Sequence, residues 1–436
     1  MIKNELKYSG IFWLGNIPEK WIIKRIKDLT TTKSGTTPAT NVVDYYENGK
    51  HNWIRTTDLN DSELFDTEYK LSDLALEKCR LSFLPIDTVL VAMYGGFGTI
   101  GKNAILKKAS TINQSVCAIL PSKKNLDSNY LLYFLKYFRA DWRLFADGTR
   151  KDPNINQDAV KNLFIIYPTL SEQTAIASYL DQKTSAIDRK VSLLEQKITH
   201  YQQLRKSLIN ETVCRGLDKN VKLKDSGIEW IGMIPKHWEV RRLKDVCAFI
   251  NRGTPPTYDE TGSFKVVNQA TFSKGFWDES SLRFSQSLEV KPRGLLKEND
   301  ILIASTGGGV LGKVFFFKRK ESGYIADSHI TILRDNRKNY FSKFVYYYFS
   351  EKFKLINDIL AKGSTNQTEL QKDWLLAFFI CIPPQLEQTS IATYLDEKTQ
   401  KIDLIITNIT TQIATLKELR KTLINDVVTG KLKVSE

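Results

Sequence analysis

Two long segments of this chain repeat one another, and that duplication limits the possible folds more than any other feature of the sequence. Residues 8–28 read YSGIFWLGNIPEKWIIKRIKD, and residues 225–245 read DSGIEWIGMIPKHWEVRRLKD. A second pair closes each copy, with EQTAIASYLDQKTSAID at 172–188 and EQTSIATYLDEKTQKID at 387–403. Each copy is far longer than a solenoid repeat, so the sequence predicts two domains with cores of their own.

The charge balance of the chain favours a polyanionic partner. Lys and Arg number 63 against 49 Asp and Glu, a net charge of +14 in 436 residues. This balance places nucleic acid ahead of an anionic membrane surface. No uninterrupted apolar run reaches the roughly 18 residues of a membrane span. The polar start MIKNELKYSG and five scattered cysteines without a C-x-x-C pair predict a reduced, cytoplasmic protein with no membrane partner.

Each copy begins with a globular segment that mixes strands and helices, called a head below. Short runs rich in Val, Ile, Phe and Thr and bounded by turn residues predict strands, namely 87–94, 114–120, 300–306 and 314–317. The aromatic-rich stretches 129–138 and 343–353 predict helices between them. The heads are therefore expected to be α+β.

A long amphipathic helix is predicted to follow each head. Each helix begins after a proline, at Pro168 or at Pro383 and Pro384, and ends near a glycine, Gly216 or Gly430. Apolar residues recur with heptad spacing in the same phase in both helices, which predicts that the two helices pack on each other, antiparallel. The predicted packing residues are Ile176, Leu180, Ile187, Val191, Leu194 and Ile198 in the first helix, and Ile391, Leu395, Ile402, Ile406, Ile409 and Ile413 in the second.

A glycine-rich motif in each head resembles a nucleotide-binding loop, GFGTIGK at 96–102 and GGGVLGK at 307–313. The hydroxyl residue that would hold Mg²⁺ after the lysine is missing, because Asn103 and Val314 stand there. The residues that follow predict a strand, whereas a phosphate loop needs a helix N-terminus. A hairpin turn that brings Lys102 or Lys313 near a DNA phosphate is the preferred interpretation.

Residues for catalysis or metal binding are sparse. The four histidines, at 51, 200, 237 and 329, are not spaced with another His or Cys as zinc ligands are, and no nucleophile elbow or acidic nuclease cluster is present. The sequence therefore predicts no catalytic activity and no metal site in this chain.

In combination, these motifs resemble the specificity subunit of a type I restriction–modification enzyme. The resemblance is carried by SGIxWxGxIPxxW at the start of each copy, the turns KSGTTP at 33–38 and NRGTPP at 251–256, and PxxxEQxxIAxYLD at 168–181 and 383–396. It implies two α+β target-recognition domains related by pseudo-two-fold symmetry and joined by two long helices packed as an antiparallel coiled coil. The implied domains are 1–168, 169–216, 217–384 and 385–436.

The resemblance also implies the function and the partners. Each head would read one half of a bipartite site in double-stranded DNA, and the helices would set the spacing and dock two methyltransferase subunits. Two motor–endonuclease subunits complete such enzymes. This chain would hold no cofactor, since S-adenosylmethionine, ATP and Mg²⁺ are expected in the partner subunits.

Side chains in the turns and glycine loops are the candidates for DNA contact. Arg suits guanine and Asn or Gln suits adenine in the major groove, whereas Lys and loop residues suit phosphates. The candidates are Lys33, Thr36, Arg55, Thr56, Lys102, Arg150, Lys151, Arg252, Thr254, Asn268, Gln269, Lys313, Asn366 and Gln367.

Two alternative functions remain open from the sequence alone. A coiled-coil scaffold with basic heads could bind nucleic acid without sequence preference, and a sequence-dependent affinity at fixed salt would separate it from a specific reader. A nucleotide hydrolase would require the glycine loops to bind ATP.

Overall fold

A computed structural model describes residues 5–95, 98–122, 124–146, 154–286, 292–307, 309–335, 342–362 and 368–434. The chain forms two compact units: Met1–Glu195 with Thr411–Glu436, called unit 1, and Gln196–Thr410, called unit 2. In the described part of the chain, no helix is both long and apolar enough to cross a membrane.

The first head lies in unit 1 and is built on a five-stranded sheet. Its strands are β1 (Leu6–Tyr8), β2 (Asn16–Pro18), β3 (Ile22–Arg25), β4 (Thr32–Ser34), β5 (His51–Ile54), β6 (Glu63–Leu64), β7 (Lys70–Leu71), β8 (Val89–Ala92), β9 (Asn103–Leu106), β10 (Thr111–Ile112), β11 (Val116–Ile119) and β12 (Phe164–Tyr167). Its helices are α1 (Ile26–Leu29), α2 (Asp73–Lys78), α3 (Ser128–Phe138) and α4 (Gln157–Asn162). The main sheet has the order β4-β11-β8-β9-β6, and a smaller sheet has the order β10-β5-β7.

The second head lies in unit 2 and repeats this plan with a four-stranded main sheet. Its strands are β13 (Leu223–Asp225), β14 (Met233–Pro235), β15 (Glu239–Arg242), β16 (Phe249–Arg252), β17 (Phe264–Val267), β18 (Arg283–Ser285), β19 (Ile301–Ala304), β20 (Val314–Phe316), β21 (Tyr324–Ala326), β22 (Ile330–Arg334), β23 (Ala361–Lys362), β24 (Glu369–Leu370) and β25 (Phe379–Ile382). Its helices are α6 (Leu243–Val246), α7 (Ser342–Ser350), α8 (Phe353–Leu360) and α9 (Lys372–Ala377). The main sheet runs β16-β22-β19-β20, and the smaller one runs β18-β17-β21. The α+β prediction for both heads is confirmed.

Two long helices follow the heads, α5 over Leu170–Arg215 and α10 over Gln385–Val428. Ion pairs give their relative direction within each unit. In unit 1, Asp188 and Glu195 of α5 pair with Arg420 and Lys417 of α10 at 2.9 and 3.5 Å. In unit 2, Arg205 of α5 pairs with Asp403 of α10 at 3.2 Å. Residue numbers rise along α5 as they fall along α10, so the predicted antiparallel packing is confirmed.

The predicted packing residues of these helices are buried to different degrees. Eight of them are buried: Ile176, Leu180, Val191, Ile391, Leu395, Ile402, Ile409 and Ile413. Four are half-buried: Ile187, Leu194, Ile198 and Ile406. The residues at the start of each helix also pack into the core of the preceding head, because Ile176 and Leu180 belong to the first head's core and Ile391 and Leu395 to the second head's.

The hydrophobic core of each unit is completed by the far end of the other long helix. Ile424, Val427 and Val428 of α10 pack into the core of the first head, and Ile209 and Val213 of α5 pack into that of the second. Each compact unit therefore contains a head, the beginning of one long helix and the end of the other. The division predicted from the sequence treated each helix as a segment of its own, whereas these cores divide both helices between the units.

Glycines end both long helices at places where a side chain would not fit. Gly216 and Gly430 have φ values of +75° and +72°, a conformation that L side chains rarely adopt. A Cβ on Gly430 would lie 2.3 Å from Cγ of Pro18 and 2.7 Å from Cζ3 of Trp21. The glycines thus let each helix end against the second Trp of the repeated WxGxIPxxW motif in the same unit, Trp21 or Trp238.

Candidate nucleic-acid interface

Three turns of the first head meet at one end of its main sheet. They follow β4, β5 and β8, and they carry the predicted contacts Thr36, Arg55 and Thr56. Backbone hydrogen bonds connect them through the chain around β10 and β11: Thr36 N–H to Ile112 O at 3.1 Å, Asn113 N–H to Ile54 O at 2.9 Å and Met93 N–H to Ser115 O at 2.9 Å.

The second head repeats the arrangement with nearly the same backbone bonds. The turns follow β16, β17 and β19 and carry the predicted contacts Thr254, Asn268 and Gln269. The connecting bonds are Thr254 N–H to Ala326 O at 3.1 Å, Asp327 N–H to Val267 O at 3.0 Å and Ser305 N–H to His329 O at 2.8 Å. In each head we call these three turns, together with the segment that bonds to them (112–115 in the first head and 326–329 in the second), the turn surface.

Each glycine motif lies in the third turn of its turn surface, between two paired strands, and Gly96 and Phe97 of the first motif and Gly308 of the second lie outside the described residues. β8 and β9 pair antiparallel in the first head, as do β19 and β20 in the second, so the predicted hairpin is confirmed. Among the described residues, a strand follows each loop, whereas a phosphate loop requires a helix N-terminus there. Lys102 is half-buried, and the Lys313 ammonium donates to the Ser273 carbonyl at 2.8 Å.

Arg55 of the first head is held by its neighbours. Its guanidinium carbon lies 3.5 Å from the centroid of the Tyr69 ring, and its backbone N–H donates to Asp58 at 2.8 Å. Thr56 beside it is half-buried, whereas Lys33 and Thr36 are exposed. A stacked, partly exposed guanidinium has fewer conformations to lose when it binds a base or a phosphate.

Three candidates of the second head have contacts within the head itself. Arg252 pairs with Glu369 and donates to the Leu370 carbonyl at 3.1 Å. Thr254 is 6% exposed. Asn268 accepts from the Thr271 backbone N–H at 3.2 Å and donates to the Ser281 carbonyl at 2.6 Å. As DNA contacts the three residues stay predictions: Arg252 and Asn268 would have to exchange one of these bonds, and Thr254 would have to become more exposed. Arg150, Lys151, Asn366 and Gln367 lie outside the described residues.

A polar cluster on the second turn surface was not predicted from the sequence as a unit. Gln269 donates through Nε2 to Thr306 Oγ1 at 2.8 Å and to the His329 carbonyl at 2.9 Å. Thr306 Oγ1 also lies 2.9 Å from Nδ1 of His329. Next to it, Asp327 accepts the His329 backbone N–H at 2.9 Å, and burial raises the pKa of the Asp327 carboxyl. These residues come from three turns, and no local sequence signal joins them.

The repeated YLD and EQ motifs attach each head to its own long helix. Tyr133 of α3 donates to Asp181 of α5 at 2.7 Å, and Tyr347 of α7 donates to Asp396 of α10 at 2.7 Å. Burial is the main reason that the pKa values of both tyrosines are raised. The motifs that the two copies share therefore support the architecture, and no nucleotide or metal contact is needed to explain them. Among the described residues, no group of three or more His, Cys, Asp or Glu side chains could hold a metal ion.

Comparison with protein families gives two matches along the chain. Residues 18–199 and 235–415 match the family model described as type I restriction modification DNA specificity domain. Similar relatives include the type I restriction enzyme MjaIX specificity subunit of Methanocaldococcus jannaschii, 27% identical over 442 residues, which cover 97% of this chain and 96% of the relative. The EcoKI specificity subunit of Escherichia coli is 20% identical over 431 residues, covering 96% and 90%.

Solved structures share the fold over nearly the whole length. One, from work on complex assembly and conformational transition of the type I R-M system, has a TM-score of 0.76 at 17% identity and covers 95% of this chain and 99% of the other. The HsdS subunit from Thermoanaerobacter tengcongensis has a TM-score of 0.57 at 16% identity, covering 95% and 98%. At these identities, the likeness shows that the fold is shared.

Proposed function

Because the chain belongs to the family of type I restriction–modification DNA specificity domains and is a DNA sequence-specificity subunit, we propose that each of its heads reads one half of a bipartite target. The observation that carries the proposal is the pair of turn surfaces. The two turn surfaces have the same pattern of backbone hydrogen bonds, yet they carry different side chains, which suits two half-sites of different sequence. DNA and the other subunits of the enzyme are its partners.

We further propose that the two long helices set the distance between the half-sites. α5 contains 46 residues, which corresponds to a rod of about 70 Å at 1.5 Å per residue. The helices are antiparallel and ion-paired within each unit, which supports their role as a ruler. Two weak readers held at a fixed separation bind more tightly than either alone, because the second contact becomes intramolecular.

The catalytic steps belong to partner subunits in this proposal. The helices would dock two methyltransferase subunits that bind S-adenosylmethionine, and two motor–endonuclease subunits would bring ATP and Mg²⁺. The chain itself would recognise DNA in the cytoplasm. The strands that flank each glycine motif pair antiparallel, which supports a hairpin turn in preference to an ATP-binding loop.

The test is a methylome. The chain is co-expressed with its cognate methyltransferase subunit in a bacterium without DNA methylation, and the modified bases are mapped across the genome. One new split motif, with two defined halves and an unread gap, is expected. A soluble, intact complex that yields methylation at a continuous motif or at no motif would overturn the proposal of two half-sites.

A further inference from the structure

We infer that Gln269, Thr306 and His329 form a base-reading unit for an A·T pair in the half-site read by the second head. This inference rests on the function proposed above and names the side chains that would carry its specificity. Gln269 was a candidate from the sequence, whereas Thr306 and His329 are identified by their contacts.

The hydrogen bonds within the cluster fix the orientation of the Gln269 amide. Its Nε2 lies 2.8 Å from Thr306 Oγ1 and 2.9 Å from the His329 carbonyl. A carbonyl oxygen can only accept, so the amide nitrogen must face it, and both amide hydrogens are then used. The Oε1 atom, which has no partner among the described residues, is left as an acceptor.

The same network orients the imidazole of His329. Thr306 Oγ1 accepts from Gln269, and its own hydrogen is satisfied when it donates to Nδ1 of His329 at 2.9 Å. The neutral ring then carries its proton on Nε2. The side chain is exposed, so Nε2–H is available as a donor. Thr306 positions both readers and makes no base contact in this scheme.

The acceptor on Gln269 and the donor on His329 together match the major-groove edge of adenine but not that of guanine. Adenine presents the N6 amino group as a donor and N7 as an acceptor, whereas guanine presents two acceptors, O6 and N7. Gln269 Oε1 would accept from adenine N6, and His329 Nε2–H would donate to adenine N7. Against guanine, Oε1 would face O6, and two acceptors would oppose each other.

The first head provides an internal comparison for this assignment. Ala92 pairs with Val116 as Ala304 pairs with Ile330, and Ile54 pairs with Ile112 as Val267 pairs with Ala326. Counting from these pairs, the positions of Gln269, Thr306 and His329 correspond to Thr56, Tyr94 and Ser115. The backbone bond from Ser305 to His329, 2.8 Å long, has its counterpart from Met93 to Ser115 at 2.9 Å.

All three corresponding side chains therefore differ while the backbone that holds them agrees. If the cluster only stabilised the turns, the same side chains would be expected in both heads, because the backbone that they support is the same. A difference confined to outward-facing polar side chains on a shared frame is what two readers of different sequences require.

The test begins with the split motif found in the methylome and uses the purified complex of the chain with its methyltransferase subunit. Equilibrium competition with duplexes changed one base pair at a time measures discrimination in each half. His329→Ala and Gln269→Ala should each reduce discrimination at the same A·T position of one half by about tenfold or more. Ser115→Ala, the matched change in the first head, should leave discrimination unchanged in the half that the second head reads.

Thr306 is tested as a positioning residue by a pair of variants. Thr306→Val removes the hydroxyl and should relax the same A·T position, whereas Thr306→Ser keeps the hydroxyl and should restore discrimination. A structural role alone would change the unfolding temperature without changing the base preference.

A transplant keeps the inference testable if a single variant loses DNA binding altogether. Gln269→Thr, Thr306→Tyr and His329→Ser together place the side chains of the first head on the second. This variant should change its preference at that one position and nowhere else. Unchanged discrimination in these variants, with a split motif for the parent chain, would overturn the inference alone, whereas a parent chain without a split motif would overturn the proposed function.

Discussion

The indole nitrogen of Trp238 donates to the carboxylate of Glu387 at 3.1 Å and so ties the start of the second head to α10. Trp21 and Glu172 make the same bond in unit 1, also at 3.1 Å. Trp238→Phe removes the donor and also leaves a cavity, because Trp238 is fully buried, so unit 2 should lose at least about 2 kcal/mol, the usual contribution of a hydrogen bond to a charged group. Hydrogen exchange resolved by peptide measures the loss in unit 2.

Trp21→Phe is the matched control for that measurement. It should weaken protection in unit 1 by a similar amount and leave unit 2 unchanged. Equal loss of protection in both units from either variant would contradict the assignment of each bond to one unit.

Breaking the buried ion pair between Asp300 and Arg334 should strongly reduce the free energy of unfolding of the second head. Arg334 donates to both carboxylate oxygens at 2.7 Å, and Asp300 is fully buried. Burial raises the pKa of Asp300 in spite of these bonds. Arg334→Met leaves a buried carboxylate without its partner and should cost about 3–5 kcal/mol, measured by urea unfolding.

The double variant Asp300→Asn with Arg334→Met separates pairing from packing. It removes the buried charge as well as its partner, so it should be more stable than Arg334→Met alone. A double variant that is less stable than the single one would show that the carboxylate does not depend on Arg334.

Cys214 should be the thiol whose alkylation responds most to pH near neutrality. A hydrogen bond from Cys381, together with the positive charges of Lys352 and Arg215, lowers the pKa of Cys214 to about 7. Thiolate is the reactive form and accumulates above the pKa, so the rate of labelling by iodoacetamide should rise through pH 7. Peptide mass spectrometry follows each cysteine separately.

Cys381→Ala removes the hydrogen-bond donor and should move the midpoint for Cys214 toward the ordinary value of 9.0. Cys117 is an internal reference, because burial raises its pKa to about 12 and it should stay unlabelled. A midpoint for Cys214 that does not move in Cys381→Ala would exclude the thiol pair as the cause.

Shortening both long helices by one heptad should change the gap between the half-sites. Seven residues correspond to about 10.5 Å of helix, and deletion of a whole heptad keeps the apolar seam in phase. The methylome of the shortened chain should show both halves unchanged with a shorter gap, or no methylation if the subunits no longer dock. An unchanged target would refute the role of the helices as a ruler.

Exchange of one head should change one half-site only. Replacing residues from about Trp21 to Ile166 with the corresponding segment of another family member should replace one half of the motif and retain the other. Motifs in which both halves change would contradict independent reading by the two heads.

The long helices could be predicted from sequence because their signals are local. Heptad spacing, a preceding proline and a following glycine predicted 169–216, and the structure has α5 at Leu170–Arg215. The Gln269 cluster could not be predicted, because it depends on the pairing of β17 with β21 and of β19 with β22. That register is set by packing across the head. The sequence also marked Trp21 and Glu172 as repeated, but only the structure shows that they bond to each other.

The contribution of α10 to the core of the first head has a consequence during translation. Ile424, Val427 and Val428 are translated after the whole of unit 2, yet they complete a core that begins with Leu14 and Ile17. At roughly 5–20 residues per second, the nascent first head must remain unfinished for tens of seconds while all of unit 2 is made. A chain that stops before Ile424 would therefore lack part of the core of its first head, although that head lies in the N-terminal half of the sequence.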